Sequence, residues 1–148
     1  SDLDERLIWL RNDWWRKAAT TSGASTFSPT WKPCMQRDDS LLLDMIQAAR
    51  QIREYTSGLQ EKEFLKNRRD QDAVLLQCTV LGETAKRVSS EFRNAHPEIP
   101  WRKIMGFRNV VVHDYFQVDV HRVWKIASRD IPELINTLEP LVPPDSSP

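Results

Sequence analysis

The sequence predicts an all-α protein: an antiparallel four-helix bundle preceded by an extra N-terminal amphipathic helix and a linker. Apolar residues recur at helical spacing over long stretches, and no stretch shows the sustained two-residue alternation of a half-buried strand. Only four glycines occur in 148 residues, a length that fits one domain. We therefore divide the chain into an N-terminal extension at residues 1–36, a helical bundle at 37–141 and a disordered tail at 142–148.

The first two bundle helices are predicted from long apolar stripes. The first runs from Asp39 to Tyr55. Gly58 follows it and is a residue type that favours helix C-termini. A short polar segment at 61–67 separates it from the second helix, at 69–95, which ends before Pro97. The inward residues are Leu42, Met45, Ala49 and Ile52 in the first helix, and Val74, Cys78, Leu81, Ala85, Val88 and Phe92 in the second.

The last two helices are placed by their first residues. Pro100 suits the first turn of the third helix, and Asp119 is the predicted N-cap of the fourth, which Pro132 should kink or restart. The valine run at 110–112 is compatible with a strand, but the chain offers no second strand to pair with it. The inward residues are Trp101, Ile104, Met105 and Val111 in the third helix, and Val120, Val123, Trp124, Ala127, Ile131, Leu134 and Leu138 in the fourth.

The N-terminal extension is rich in tryptophan. A stripe of Leu3, Leu7, Leu10, Trp14 and Ala18 predicts an amphipathic helix over 3–19, and residues 20–36 have the composition of a linker. Four of the six tryptophans of the chain lie in this extension. It either caps the bundle or forms an arm that binds a partner.

Composition limits the class of protein. With 40% hydrophobic residues and no apolar run near the ~20 residues of a membrane span, no membrane segment is expected. No export signal opens the chain, and its two cysteines form neither a disulfide framework nor a metal knuckle, so we expect a cytoplasmic protein. Net charge is zero, but residues 86–108 carry six basic side chains against two acidic ones. This basic stretch suits either an anionic ligand or a solvated helix face.

The segment RNVVVHDY at 108–115 is the strongest candidate for a site. It combines a planar cation, Arg108, with an imidazole, His113, and a phenol, Tyr115, as a site for a phosphate ester would. On a regular helix Arg108 and Tyr115 share a face, whereas His113 points roughly 140° away from Arg108. Either the helix ends near His113, or a second copy of the chain completes the site across a two-fold axis. Both can hold.

The spacing of these three residues resembles the R-x4-H-x-Y signature of the HepT-like toxins, within the HEPN superfamily of helical RNases. The flanks at 81–87 (LGETAKR), 96–101 (HPEIPW) and 115–119 (YFQVD) are also similar to that family, in the same order. The resemblance covers about residues 37–141 and leaves 1–36 unexplained. It implies a homodimeric HEPN-like bundle acting as a metal-independent RNA endonuclease, the toxin of a toxin–antitoxin pair. It also implies a cognate minimal nucleotidyltransferase antitoxin that neutralises the toxin by transferring AMP to Tyr115.

The chemistry of the residues fits that implication. His113 can take the proton of a 2′-hydroxyl as a general base, and Arg108 can bind phosphate oxygens through its guanidinium fork. Asn109 can orient either group, and Tyr115 can position the phosphate. Glu83 and Asp114 are possible supporting residues. No cofactor is implied.

Other interpretations stay open. Arg108 can form a salt bridge with an acid of the fourth helix, and Glu83 can pair with Lys86 three residues on. His96 and His121 are interpreted as structural, and we predict no metal site, because a cluster of His113, Asp114, Asp119 and His121 would match no zinc pattern. The RNA partner is either tRNA or mRNA. The alternative functions are a non-catalytic nucleotide-binding partner subunit of a nucleotidyltransferase, and a purely structural dimer.

Overall fold

A computed structural model describes residues 33–143, with side chains from residue 37, and confirms the all-α bundle. Short 3-10 turns lie at Tyr115–Gln117 and Glu139–Leu141, and a π-helical segment at Ile126–Asp130 joins the last two helices. The predicted helix at 3–19, most of the linker and residues 144–148 lie outside the described residues. The helices of the described range are α1 (Pro33–Thr56), α2 (Glu61–Lys66), α3 (Arg68–Arg87), α4 (Ser90–Ala95), α5 (Trp101–His113), α6 (Val120–Lys125) and α7 (Ile131–Leu138).

Helix α3 is the centre of the bundle, packing against α1 on one side and α5 on the other, while α1 also packs against α7. Asp38, near the start of α1, accepts hydrogen bonds from the backbone N–H (2.9 Å) and hydroxyl (2.6 Å) of Ser89, just beyond the end of α3. At the opposite end of α3, Asp72 contacts Tyr115, just beyond the end of α5. Helix α3 therefore runs antiparallel to both neighbours.

The predicted apolar stripes form the core. Nearly all of the predicted inward residues are buried, and Phe92, Met105, Val120 and Trp124 are half-buried at its edge. The core also contains Phe64 and Phe107, which lie outside the predicted stripes. Phe64 is fully buried, and its ring centroid lies 5.3 Å from that of Trp124 on α6. This aromatic contact joins the short α2 to α6.

Two predicted elements are wrong. The polar segment at 61–67 is mostly helix α2, which a Glu63 carboxylate stabilises by accepting the N–H of Gln60 (2.9 Å), as in a capping box. The second helix does not continue to residue 95. It ends at Arg87, and Ser89 begins α4 by accepting the backbone N–H of Phe92 (3.2 Å). The two hydrogen bonds that Ser89 donates to the Asp38 carboxylate hold it in this capping position.

The other helix boundaries are close to prediction. Helix α1 begins at Pro33 instead of Asp39, so the last four residues of the predicted linker are helical. Helix α5 begins at Trp101, one residue after Pro100. Asp119 is the N-cap of α6, accepting the N–H of His121 (3.0 Å), as predicted. The helix restarts near Pro132, after the π-helical segment, because proline cannot donate the hydrogen bond that a continuous α-helix needs.

Helices α3 and α5 approach each other closely at Gly82. A methyl group at this buried position would lie 2.8 Å from Cγ of Arg108 and 3.2 Å from the carbonyl oxygen of Ile104, and still closer to Cβ of Arg108. No other residue type fits there without a shift of α5. Gly106, on α5 itself, is exposed, and a methyl group added there would meet nothing within 4 Å.

These two glycines are a matched pair for a stability test. Gly82→Ala should lower the free energy of unfolding by about 1–3 kcal/mol, because it forces α5 away from α3. Gly106→Ala should raise it by about 0.5–1 kcal/mol, since alanine restricts the unfolded chain and favours helix. Urea unfolding followed by circular dichroism measures both. Equal stabilisation by the two substitutions would contradict the close contact.

Candidate active site

The segment at 108–115 occupies the second half of α5 and the turn that follows. His113 is the last residue of the helix, and Asp114 is its C-cap, with its backbone N–H bonded to the carbonyl of Val110 (2.9 Å). The N–H of Gln117 bonds to the carbonyl of Asp114 (2.8 Å), which forms the 3-10 turn that carries Tyr115. The helix therefore ends at His113, as the first of the two geometric alternatives requires.

Arg108 is held by two neighbours. Its guanidinium forms an ion pair with Glu83 of α3, and its Nη1 donates a hydrogen bond to Oδ1 of Asn109 (2.9 Å). The Nε atom is buried and makes no aligned hydrogen bond with the carboxylate, so the contact with Glu83 is mainly electrostatic. Glu83 thus lies beside Arg108, where a supporting residue is needed, and the partner acid belongs to α3 instead of the fourth bundle helix.

Tyr115 is held by a second acid of α3. Its hydroxyl donates a hydrogen bond to Asp72, which also accepts one from Nε of Arg68 (3.1 Å). The guanidinium carbon of Arg68 lies 5.6 Å from the centroid of the Tyr115 ring, in cation–π geometry. The neighbouring Tyr115 hydroxyl and the charge of Asp72 raise the pKa of Arg68 above its ordinary value.

Asp72 and Arg68 were not predicted as site residues. The hydrogen bond joins Tyr115 to a residue 43 positions earlier, and it exists only because α3 and α5 pack antiparallel in this register. The one signal in the sequence was the spacing of Arg68 and Asp72, four residues apart on a helix, which is equally common in solvated ion pairs.

Helix α3 anchors two groups of side chains that are far apart within one chain: Arg108 with Glu83 and Asn109, and Tyr115 with Asp72 and Arg68. Asp72 and Glu83 are eleven residues apart on α3, which corresponds to about 16 Å along the helix axis. Among the described residues, no hydrogen bond or ion pair joins Arg108 to His113 or to Tyr115. One chain therefore brings Arg108, Asn109 and Glu83 together, and Tyr115, Asp72 and Arg68 together, but not the two groups with each other.

His113 lies on the surface at the C-terminal end of α5, with Asp114 also exposed. The exposed ring is accessible to a substrate from solvent. This position suits a group that exchanges protons with a bound ligand.

A shallow apolar groove lies beside the group of Tyr115 and Asp72. It lies between α3 and α5, and Leu76, Val80 and Val112 form an exposed aliphatic patch there, with side chains 61%, 40% and 48% exposed. Leu76 and Val112 also line the groove, which reaches Tyr115 and Asp72 at one end. Contiguous exposed aliphatic side chains of this kind are typical of protein–protein interfaces.

A larger cavity lies elsewhere. It measures about 970 Å³ and is formed by α5 and the fourth bundle helix, with Ile104 and Phe107 among its lining residues, and it includes none of the predicted site residues apart from Asp119 and His121 of the rejected metal cluster. Cys78 borders it, but burial raises the pKa of this thiol to about 12, so the thiol is protonated and is a poor nucleophile.

The remaining candidates have ordinary partners. The Nδ1 atoms of His96 and His121 lie 2.9 Å and 3.1 Å from carboxylate oxygens of Glu98 and Glu61, respectively. Within residues 37–143 no group of three or more metal-ligating side chains is placed to hold an ion. None of the helices described is long and apolar enough to cross a membrane.

Comparison with known proteins relates this bundle to ribonucleases. A family model described as ribonuclease HepT-like matches residues 45–141. A probable ribonuclease HepT of Thermococcus cleftensis is 37% identical over 100 residues, which are 68% of this chain and 91% of that protein. A candidate RNase of Methanocaldococcus jannaschii is 30% identical over 100 residues, 68% of this chain and 92% of that protein. No solved structure is significantly similar.

The helical bundle, with R-x4-H-x-Y at the end of α5, defines a protein of the HEPN class. The match to the HepT-like family model extends from the middle of α1 to the end of the bundle, so it identifies one family within this class. The chain belongs to the HepT-like ribonuclease family. The predicted extension at 1–36 lies outside the matched region.

Proposed function

We propose that this protein is a metal-independent endoribonuclease that acts as the toxin of a toxin–antitoxin pair, with tRNA or mRNA as substrate. The observation that carries the proposal is the R-x4-H-x-Y segment at the end of α5, in a chain of the HepT-like ribonuclease family. Its cation is fixed by Glu83 and Asn109, and its imidazole is exposed at the helix end.

In the proposed reaction His113 is the general base and Arg108 binds the phosphate. The imidazole takes the proton of a 2′-hydroxyl, the 2′-oxygen attacks the adjacent phosphorus, and the bond from phosphorus to the 5′-oxygen breaks. The 5′-oxygen takes a proton from water as it leaves, and the phosphate remains as a 2′,3′-cyclic ester. Arg108 stabilises the charge of the pentavalent phosphorus through two parallel N–H donors, while Asn109 fixes the plane of its guanidinium.

The separation of the two anchored groups supports a homodimeric site. The aliphatic patch of Leu76, Val80 and Val112 lies between the end of the hairpin that holds Arg108 and the end that holds Tyr115. If two copies meet on this patch, with the two-fold axis perpendicular to the helices, Arg108 of one copy faces the partner's Tyr115 and His113. Such a dimer has two composite sites in one shared cleft, and it buries the patch.

Tyr115 is the proposed site of regulation. The antitoxin of the pair is a minimal nucleotidyltransferase that transfers AMP from ATP to the Tyr115 hydroxyl: the phenol loses its proton, its oxygen bonds to the α-phosphorus, and pyrophosphate leaves. The hydroxyl is tied only to the exposed Asp72 within the described residues, so it can be released without unfolding of α5. The added phosphate would pair with cations of the cleft that the RNA backbone needs, and it blocks the site by charge and by volume.

Replacing the general base tests the catalytic assignment. His113→Ala should lower the cleavage rate by about 10² to 10⁴ and remove growth inhibition on expression, while helicity and dimerisation persist. His121→Ala is the matched control, because His121 is also exposed but lies on α6, and it should retain activity. Growth inhibition that persists in His113→Ala would reject the assignment. A wild-type chain that is harmless without its neighbour would favour the nucleotide-binding accessory subunit.

Mixing two inactive variants tests the composite site. Arg108→Ala and His113→Ala proteins, unfolded and refolded together, should form heterodimers in which one of the two sites has both groups. RNA cleavage should then return to about a quarter of the wild-type rate, because half of the dimers are mixed and each has one intact site. The separately refolded variants are the control. Sites built within one chain would give no recovery.

Mass spectrometry tests the regulation. Co-expression with a cognate minimal nucleotidyltransferase should add one or more AMP units to the intact protein and abolish its RNase activity. Tyr115→Phe should prevent the addition, whereas Tyr55→Phe should not, and these are the only two tyrosines of the chain. Neutralised toxicity without any gain of mass would contradict the modification and favour inhibition by complex formation.

A further inference from the structure

Phe116 is the most exposed large apolar side chain of the described residues, at 92%. It follows Tyr115 in the short 3-10 turn after α5, and its ring is nearly perpendicular to the Tyr115 ring, with centroids 5.5 Å apart. The edge-to-face contact and the turn fix the direction of the Phe116 ring. The Phe116 ring therefore lies beside the predicted site, with most of its surface in solvent.

Arg68 lies next to this aromatic pair. Its guanidinium stands over the Tyr115 ring, and its side chain is 65% exposed although Nε is bonded to Asp72. Lys66 and Arg69, on either side of it in the sequence, are also exposed. An exposed aromatic ring and exposed cations therefore occur together at this end of the α3–α5 hairpin.

The surroundings of Phe116 differ from those of the aliphatic patch. The groove that contains Leu76 and Val112 is lined at this end by Tyr115 and Asp72, and Phe116 is not part of its wall. The Phe116 ring contacts the phenol of Tyr115, and that phenol in turn contacts the Arg68–Asp72 ion pair. These groups are poor partners for an aliphatic interface. They are good partners for a nucleotide, because a base stacks on an aromatic ring and its phosphate pairs with a guanidinium.

We propose that Phe116 and Arg68 form a subsite for an unpaired nucleotide that flanks the scissile phosphate. The base of this nucleotide stacks on Phe116, and its phosphate binds Arg68. This proposal rests on the ribonuclease function proposed above and adds a substrate class to it: the nucleotide must be outside a duplex, since a paired base has no free face. Stacking accepts any base, so the subsite selects single-stranded RNA without reading its sequence.

Cleavage kinetics on a single-stranded RNA oligonucleotide test the subsite. Phe116→Ala should raise KM roughly tenfold or more and leave kcat within a few-fold, because stacking on one base is lost while the reacting groups are intact. Phe116→Trp should keep the wild-type KM. Arg68→Ala should also raise KM, whereas Arg53→Ala, an exposed arginine on α1, should not. The same RNA in a duplex should be a poor substrate of the wild-type protein.

An abasic position distinguishes stacking from a general effect on RNA. Removing one base beside the cleavage site should raise KM of the wild-type protein but add nothing to the defect of Phe116→Ala. Equal KM values for wild-type and Phe116→Ala would overturn the subsite. So would conversion of the Phe116→Ala protein to monomers in light scattering, because the ring would then belong to the interface between copies.

RNA binding separates this proposal from the proposed function. In the His113→Ala background, fluorescence anisotropy of a labelled single-stranded RNA should show binding that weakens roughly tenfold with Phe116→Ala. Binding of this kind without cleavage by the wild-type protein would retain the subsite and reject the ribonuclease. Cleavage that is indifferent to Phe116 and Arg68 would retain the ribonuclease and reject the subsite.

Discussion

The close approach of α3 and α5 at Gly82 is the constraint on which the candidate site depends. Because Gly82 has no side chain, the stem of Arg108 lies directly on the backbone of α3. This contact fixes the register of the antiparallel pair. The register in turn places Glu83 beside Arg108 and, three helical turns away, Asp72 beside Tyr115. A shift of one residue between the two helices would rotate both carboxylates away from their partners.

The carboxylates of α3 hold the two site residues only weakly. Glu83 is about half exposed, so water competes for its carboxylate and weakens the ion pair, although the Arg108 side of the contact is mostly buried. A phosphate that Arg108 binds through two donors forms a stronger contact, so a substrate can displace Glu83. The same holds at the other end, where Asp72 is exposed and shared between Tyr115 and Arg68. The free protein therefore keeps both side chains ordered and still available to an anionic ligand.

The sequence predicted features that belong to a single helix, and it did not predict features that depend on how two helices pack together. Apolar periodicity predicted the inward faces because each face is a property of one helix. It did not reveal the break after α3, since buried Val88 and half-buried Phe92 continue the same stripe across the break. It did not reveal α2, where Phe64 is the only fully buried residue. The partners of Arg108 and Tyr115 were harder still, because they depend on the register between two helices, which no single segment encodes.

The exposed apolar residues on the α3–α5 face differ in kind, and this difference separates their roles. Leu76, Val80 and Val112 are aliphatic and contiguous, and they lie between the two anchored groups, where contact with a second copy would bury them together. Phe116 is a single aromatic ring in edge-to-face contact with Tyr115, and Arg68 lies over the Tyr115 ring. Burying it against protein would leave the Arg68–Asp72 pair at the edge of an apolar contact, which costs desolvation. A nucleotide can stack its base on the Phe116 ring and pair its phosphate with Arg68. The chemistry at Phe116 therefore favours RNA as the ligand, whereas the chemistry of the aliphatic patch favours a protein.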